Sequence, residues 1–248
     1  VEKISSDGIL VLELSSFQLE RIEEFKPYIS SVLNITPDHL DRHPDLKSYM
    51  EAKLRILENQ TEDDFVVLNA DDPNSIKLAS HGKSRKIFFS VKKELEQGAF
   101  IHKGKLILRR NGEESEIIEA NKIGIKGPHN LSNASAACAI SSILGVTSQS
   151  VRQALKDFKG VEHRLEQVAT ISGVSFVNDS KATNVESVWY ALQSLSPPII
   201  LIAGGKDKGG DFSKLRELVQ KNVKALILLG EAKEKIKEAL GTLVPTFN

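Results

Sequence analysis

The sequence predicts an α/β protein: a mainly parallel sheet with a small antiparallel sheet appended, followed by a Rossmann-like α/β domain. Three observations carry this. Short apolar runs alternate with helix-patterned stretches in both halves of the chain, the rhythm of parallel strands joined by crossover helices. That rhythm breaks only across residues 100–125, where Lys103-Gly104 and Asn111-Gly112 separate short runs at 105–109 and 115–118, as hairpin turns do. Lys159-Gly160 then precedes a second β/α alternation, which sets the expected domains at 1–159 and 160–248.

Each element has its own signal. Residues 8–14 are apolar except for Glu13, the pattern of a parallel strand buried on both faces with an acid near its carboxyl end. Ser15 and Ser16 can cap a helix running to about Glu24, and residues 28–35 read as the next strand. Pro44 and Asp45 start a helix on which Leu46, Tyr49, Met50, Leu54 and Leu57 share an apolar face. A strand at 65–69, a short helix at 74–79 and a strand at 86–91 follow. Gly127-Pro128-His129-Asn130 opens a helix rich in alanine that ends near Gly145, and Ser148 caps another that runs to about Phe158. Beyond the boundary come a hairpin around Ser172-Gly173, a helix at 185–195, a buried strand at 199–203, a helix at 214–221, a strand at 225–229, a helix at 231–240 and the start of a strand at 244–248. No G-x-G-x-x-G is present, so a dinucleotide is not indicated.

Composition narrows the function. Thirty-three basic and 33 acidic side chains in 248 residues give zero formal net charge, which argues against a general nucleic-acid or membrane-surface binder. Cys138 is the only cysteine, so no intrachain disulfide forms, and no apolar run is long enough to span a bilayer. A cytoplasmic protein is the expectation.

Lys53 carries the sharpest chemical signal, because it projects near the middle of the apolar face of its helix. A charged amine there is costly unless it is paired, reaches water past its packed stem, or is chemically changed. Carbamylation by carbon dioxide would turn it into an anion with two oxygen donors suited to magnesium, and burial favours the free amine that this reaction needs. His39, in the Thr-Pro-Asp-His loop, could be a metal ligand, a general base or neither. Glu13 resembles the strand-end acid that holds magnesium in P-loop nucleotide hydrolases, or it is a satisfied strand-end carboxylate. No G-x-x-x-x-G-K-[ST] accompanies it. Gly82-Lys83-Ser84 fails because Lys77 stands where the first glycine must be. Three further loops are dense in polar groups: residues 129–133 with Asn130 and Asn133, residues 178–184 with Asp179, Lys181 and Thr183, and residues 204–211 with glycines, lysines and Asp207. Capping and ordinary loop structure are the alternatives for each. His163-Arg164 lies on the linker, where an arginine can reach into an interdomain cleft or is simply a solvated charge, so the pair adds little by itself.

Taken in order, Glu13-Leu-Ser-Ser-Phe-Gln-Leu19, Asn34-Ile-Thr-Pro-Asp-His-Leu-Asp-Arg-His43, Gly127-Pro-His-Asn-Leu-Ser-Asn133, His163-Arg164, Asn178-Asp-Ser-Lys-Ala-Thr-Asn184 and Gly204-Gly-Lys-Asp-Lys208 resemble the Mur ligase family of peptidoglycan synthesis over essentially the whole chain. The resemblance implies an ATP-dependent ligase that forms an amide through an acyl phosphate. The 178–184 loop points to the branch that adds D-glutamate to UDP-N-acetylmuramoyl-L-alanine. It further implies Glu13 as ligand of one magnesium ion, and His39 with carbamylated Lys53 at a second. Asn130, Asn133, Arg164 and Asp179 would contact ATP. Lys181, Thr183 and Lys208 would face D-glutamate and the reacting phosphate, with Lys53, His39 and Lys208 as the catalytic set. A monomer is expected, with no nucleic-acid or membrane partner. The family's UDP-binding domain, its P-loop and the end of its last domain have no counterpart in these residues, so a fragment inactive by itself is also expected. The alternatives are another Mur-type acceptor, a folylpolyglutamate synthetase-like enzyme, or a non-catalytic nucleotide-binding module.

Overall fold

The computed structural model describes residues 5, 8–36, 43–207 and 209–248. The chain divides into two units, residues 1–122 with 132–153, and residues 123–131 with 154–248.

One sheet organises the first unit. Its spatial order is β1 (Ile29–Val32), β2 (Phe65–Asn69), β3 (Arg85–Ser90), β4 (Gly98–His102), β5 (Lys105–Arg110) and β6 (Glu113–Glu119). The first four strands run parallel and the β4–β5 and β5–β6 pairs are antiparallel. The antiparallel hairpins therefore extend the parallel sheet, with β4 belonging to both parts. Both hairpin turns sit at the expected dipeptides, where Lys103, Gly104, Asn111 and Gly112 all have positive φ. All five β2 residues are buried, as a strand covered on both faces should be.

This unit holds α1 (Ser16–Leu19), α2 (Leu46–Leu54), α3 (Pro73–Leu78) and the greater part of α4 (Pro128–Ile143) and α5 (Ser148–Asp157), whose residues 128–131 and 154–157 belong to the second unit. The α2 helix and the 3-10 turn after it carry Tyr49 and Leu57 into a core with Val32, Ile35, Val66, Leu68 and Leu78, while Leu46, Met50 and Leu54 pack at its margin. Fully burying such a side chain contributes roughly 1.5–3 kcal/mol. On the other hairpins, Arg152 donates from Nε to the Ile117 carbonyl at 2.5 Å and from Nη2 to the Glu116 carbonyl at 2.9 Å.

Four expectations are corrected here. Residues 8–14 belong to no ladder, and Ile9, Leu10, Val11 and Leu12 are exposed, Val11 to 88%. A continuous apolar run signals burial, but a strand exists only when a neighbour takes its N–H and C=O groups, and no described strand does so. The α1 helix is a single turn, with a Ser15–Gln18 capping box, and does not continue to Glu24. The carbonyls that follow are taken by side chains: Arg55 donates to Glu20 and Ile22, Asn59 to Glu23 and Phe25, and Gln60 to Pro27. The β1 strand stops at Val32, because Asn69 binds the Leu33 carbonyl and Asp72 the Ile35 amide. The α5 helix is capped by Thr147, whose Oγ1 accepts from the Ser150 amide at 3.2 Å, and Ser148 is its first residue.

In the second unit, β7 (Glu166–Ile171) and β8 (Val174–Asn178) form a hairpin of their own. After α6 (Val185–Ser194) come β9 (Ile199–Gly204), α7 (Arg216–Asn222), β10 (Val223–Leu229), α8 (Lys233–Leu240) and β11 (Thr246–Phe247). The three last strands are parallel in the order β11-β10-β9. Leu192, Val219, Leu226, Leu228, Ile236 and Leu240 form the core on one side. The expected full burial of β9 is corrected: Ile200 and Ile202 are exposed while Leu201 packs on the core, so the strand alternates.

Candidate active site

In the first unit the Asn34 loop leaves the carboxyl end of β1, the edge at which open α/β sheets bind ligands. Its root is pinned on three sides. Asn69 Nδ2 donates to the Leu33 carbonyl at 2.9 Å, the Ile35 amide donates to Asp72 Oδ2 at 2.8 Å, and Asn74 Nδ2 donates to the Ile35 carbonyl at 3.0 Å. Residues 37–42, His39 among them, lie outside the described residues. The chain resumes at His43, and Asp45 caps α2 by accepting from the Ser48 amide at 2.8 Å.

Lys53 stands one turn beyond Tyr49 and is half-buried, with Nζ 5.6 Å from the centre of the Tyr49 ring. The ring face is a favourable neighbour for an ammonium group, so the geometry accommodates an unmodified lysine as well as a modified one. Glu13 is exposed on the extended segment ahead of the Ser15 cap. Among the described residues no three His, Cys, Asp or Glu side chains lie close enough to hold a metal ion. The donor chemistry would suit magnesium, since the Glu13 carboxylate, and Lys53 if it carried a carbamate, would offer hard oxygen ligands.

The second unit gathers more of the expected residues. Arg164 is flanked by His163 at φ 66° and Leu165 at φ 46°, two non-glycine residues in the left-handed region. Such conformations cost on the order of 1–3 kcal/mol each and persist only where the surroundings impose them. Here they are imposed by the 178–184 loop. The Leu165 amide donates to Asp179 Oδ1 at 3.0 Å, the Lys181 amide to the His163 carbonyl at 3.0 Å, and Asn178 Nδ2 lies 2.9 Å from His163 Nδ1. Asn184 caps α6 through the Ser187 amide at 2.8 Å. Asn178, Asp179 and Asn184 therefore build the loop, and the exposed Lys181 and Thr183 are left to meet a ligand.

His129 joins this group. Its ring lies 5.4 Å from that of Tyr190, which meets Trp189 edge-on, and its Nδ1 is buried without a hydrogen-bond partner. Burial, then Arg164, lower the basicity of His129, while Asp179 opposes them. The Asp179 carboxyl is pushed up by burial, against the Leu165 amide, Arg164 and His129. Both groups thus lean toward their neutral forms in an environment where an anion would find Arg164. Asn130 is buried and donates from Nδ2 to the Lys126 carbonyl at 2.7 Å, and Asn133 follows a turn later in α4 with an exposed side chain. In the glycine-rich loop Asp207 binds the Gly209 amide at 2.9 Å and Lys235 at 3.2 Å, a structural use of the acid. Lys208 lies outside the described residues.

Three residues escaped the sequence reading. His43 stands in a motif without a role and Ser16 only as a candidate helix cap, yet both are buried and 2.9 Å apart. His43 stands two residues before the Asp45 cap and Tyr49 at the fourth helical position, one residue off the spacing of the hydrophobic staple, which could have marked His43. Tyr190 carries no local signal of its own.

Residues 5–141 match the Mur ligase middle domain and residues 163–246 the Mur ligase, glutamate ligase domain. The chain belongs to the Mur ligase family. Within it, the chain is 47% identical over 238 residues to the UDP-N-acetylmuramoylalanine--D-glutamate ligase of Thermoanaerobacter sp. (strain X514), covering 96% of this chain and 52% of that protein. It is 46% identical over 247 residues to the ligase of the same name from Acidobacterium capsulatum, covering 99% and 54%. The chain thus spans about half the length of the curated relatives it matches. Among solved structures, MurF from Acinetobacter baumannii superposes with a TM-score of 0.72 at 19% identity, over 90% of this chain and 51% of that one. MurF from Thermotoga maritima in complex with ADP gives 0.66 at 18%, over 90% and 53%. These two similarities speak for the fold alone.

Proposed function

We propose that these residues belong to an ATP-dependent ligase that joins D-glutamate to UDP-N-acetylmuramoyl-L-alanine in peptidoglycan synthesis. The observation that carries this is the similarity, across 96% of the chain, to a ligase named for that substrate pair. Arg164, carried between two left-handed residues and acting electrostatically on Asp179 and His129, supports it, because a guanidinium is suited to a phosphate. Residues 1–159 would bind ATP and residues 160–248 the amino acid.

Asn130, Asn133, Arg164 and Asp179 would hold the nucleotide so that its terminal phosphoryl group passes to the alanyl carboxylate, releasing ADP. Lys181, Thr183 and Lys208 would orient D-glutamate so that its amine attacks the acyl phosphate, forming the amide and expelling phosphate. Positioning of this kind accounts for much of the rate in such transfers. Glu13, His39 and carbamylated Lys53 would hold two magnesium ions, which when bound neutralise charge between phosphates and carboxylates. We place the ligase in the cytoplasm as a monomer. No helix among the described residues is long and apolar enough to cross a membrane.

The test is phosphate release by the full-length protein across a panel of amino acids. D-glutamate and the UDP-sugar should both be required, and equal activity with other acceptors would sink the assignment. The 248 residues alone should not turn over. Lys53→Ala should abolish activity, with partial recovery in short carboxylic acids, and undiminished activity would leave Lys53 an ordinary packed lysine.

A further inference from the structure

We propose that His43 is a positioning residue of this ligase: it locks the turn that follows Glu13 to the helix that carries Lys53. The proposal rests on the ligase reading above, in which those two residues serve the same centre.

His43 is 3% exposed, and a buried imidazole is costly unless its nitrogens are satisfied. Both face α1. Nε2 lies 2.9 Å from Oγ of Ser16, itself 2% exposed, and Nδ1 lies 3.7 Å from Glu20 Oε1. The ring is also held on its flat face and at its edge. It stacks on Phe17 with centroids 5.8 Å apart and planes at 16°, and meets Tyr49 of α2 at 5.3 Å and 62°. Tyr49 in turn lies under the Lys53 amine at 5.6 Å. One imidazole therefore grips both ends of α1 and the ring that underlies Lys53.

Packing alone does not explain this choice of residue. A phenylalanine would fill the space between Phe17 and Tyr49 without desolvating two nitrogens. What histidine adds is orientation, through the bond to Ser16 three residues beyond Glu13. At its other end the pair is held by Arg55, which donates to the carbonyls of Glu20 and Ile22. With both ends fixed, the ligand-bearing segments cannot slide past one another. That matters because reacting groups must be held to within about 0.5 Å, and loss of a residue that orients a ligand typically costs about 10- to 100-fold.

The experiment uses the full-length ligase with His43→Phe, which keeps the ring and removes both polar contacts, His43→Gln, which restores a donor toward Ser16, and Ser16→Ala. Three quantities are read: the melting temperature, the carbamate on Lys53 by carbon-13 NMR after equilibration with labelled carbon dioxide, and kcat with KM for each substrate. In folded His43→Phe the carbamate signal should fall and kcat drop about 10- to 100-fold, with KM for D-glutamate unchanged. Ser16→Ala should behave likewise, and His43→Gln should recover most of both signals. Wild-type kcat and carbamate in His43→Phe overturn the proposal, as does a His43→Gln variant no better than His43→Phe. If His43→Phe does not fold, Ser16→Ala decides by the same criteria. Lys53→Ala with wild-type kcat would sink the ligase-site reading itself, whereas an inactive Lys53→Ala beside a wild-type His43→Phe sinks only the role of His43.

Discussion

Ser30 Oγ donates to Gln60 Oε1 at 3.0 Å, between a β1 side chain 2% exposed and a glutamine 3% exposed. The same glutamine donates from Nε2 to the carbonyls of Pro27 and Phe65, both at 2.9 Å. With Arg55 and Asn59, it supplies the partners that residues 20–27 would otherwise have found in a longer helix.

Gln60→Leu takes from the Ser30 hydroxyl the nearer of its two acceptors, the Phe65 carbonyl at 3.4 Å being the other, and removes the donor that the Pro27 and Phe65 carbonyls share. A buried polar group left without a partner costs about 1–3 kcal/mol. The variant should lose at least that much in urea denaturation, and Ser30→Ala introduced into it should cost less than in the wild type, because only the longer bond to the Phe65 carbonyl remains to be lost.

Gly127 has φ 103°, and a Cβ there would stand 2.4 Å from Ser194 Oγ and 3.0 Å from the His129 ring. Gly127→Ala should therefore destabilise the fold by more than ~1 kcal/mol and push His129 off Tyr190. Calorimetry should show the first effect, and a raised KM for ATP the second. Adding Ser194→Ala should recover only part of the stability, since the backbone strain remains.

Leu226 is fully buried at the centre of the second core. Leu226→Ala should cost about 2–5 kcal/mol, as cavity-forming substitutions do. The first sheet, which has its own core, should keep its hydrogen-exchange protection under mild denaturant.

His129 and Asp179 predict opposite pH responses. The folded state lowers His129 below 6.5, so the unfolded chain takes up the proton first. The stability from this group is full above 6.5 and is lost as pH falls through the lowered value. Asp179 is raised above 3.8, so its contribution is full below 3.8 and is lost as pH rises through the raised value. Melting temperature against pH should fall on acidification from 6.5, and His129→Gln should flatten that fall. An unchanged slope would mean that His129 is not desolvated as described.

Local patterning carried much of the architecture. The apolar run at Phe65 became β2 with the expected bounds, and the Lys103-Gly104 and Asn111-Gly112 pairs became the hairpin turns. Such signals reside in a few consecutive residues, whose φ preferences and side-chain alternation act within the segment itself. Residues 8–14 were misread for the converse reason: their apolarity records a need for cover that only other strands can meet.

By itself the sequence determined the α/β alternation, the turns, the face of α2 that holds Tyr49 and Lys53, and the ordered motifs that place the chain in its family. Only the tertiary structure decided that α1 stops after one turn, that Asp179 and Asn178 hold Arg164 between two left-handed residues, and that His43 stands between Ser16 and Tyr49. Those outcomes depend on hydrogen bonds and ring contacts between segments that are mostly distant in the chain. Pairings of that kind leave no periodic trace in either segment, because each partner is chosen by the space and the unsatisfied polar groups that the other brings.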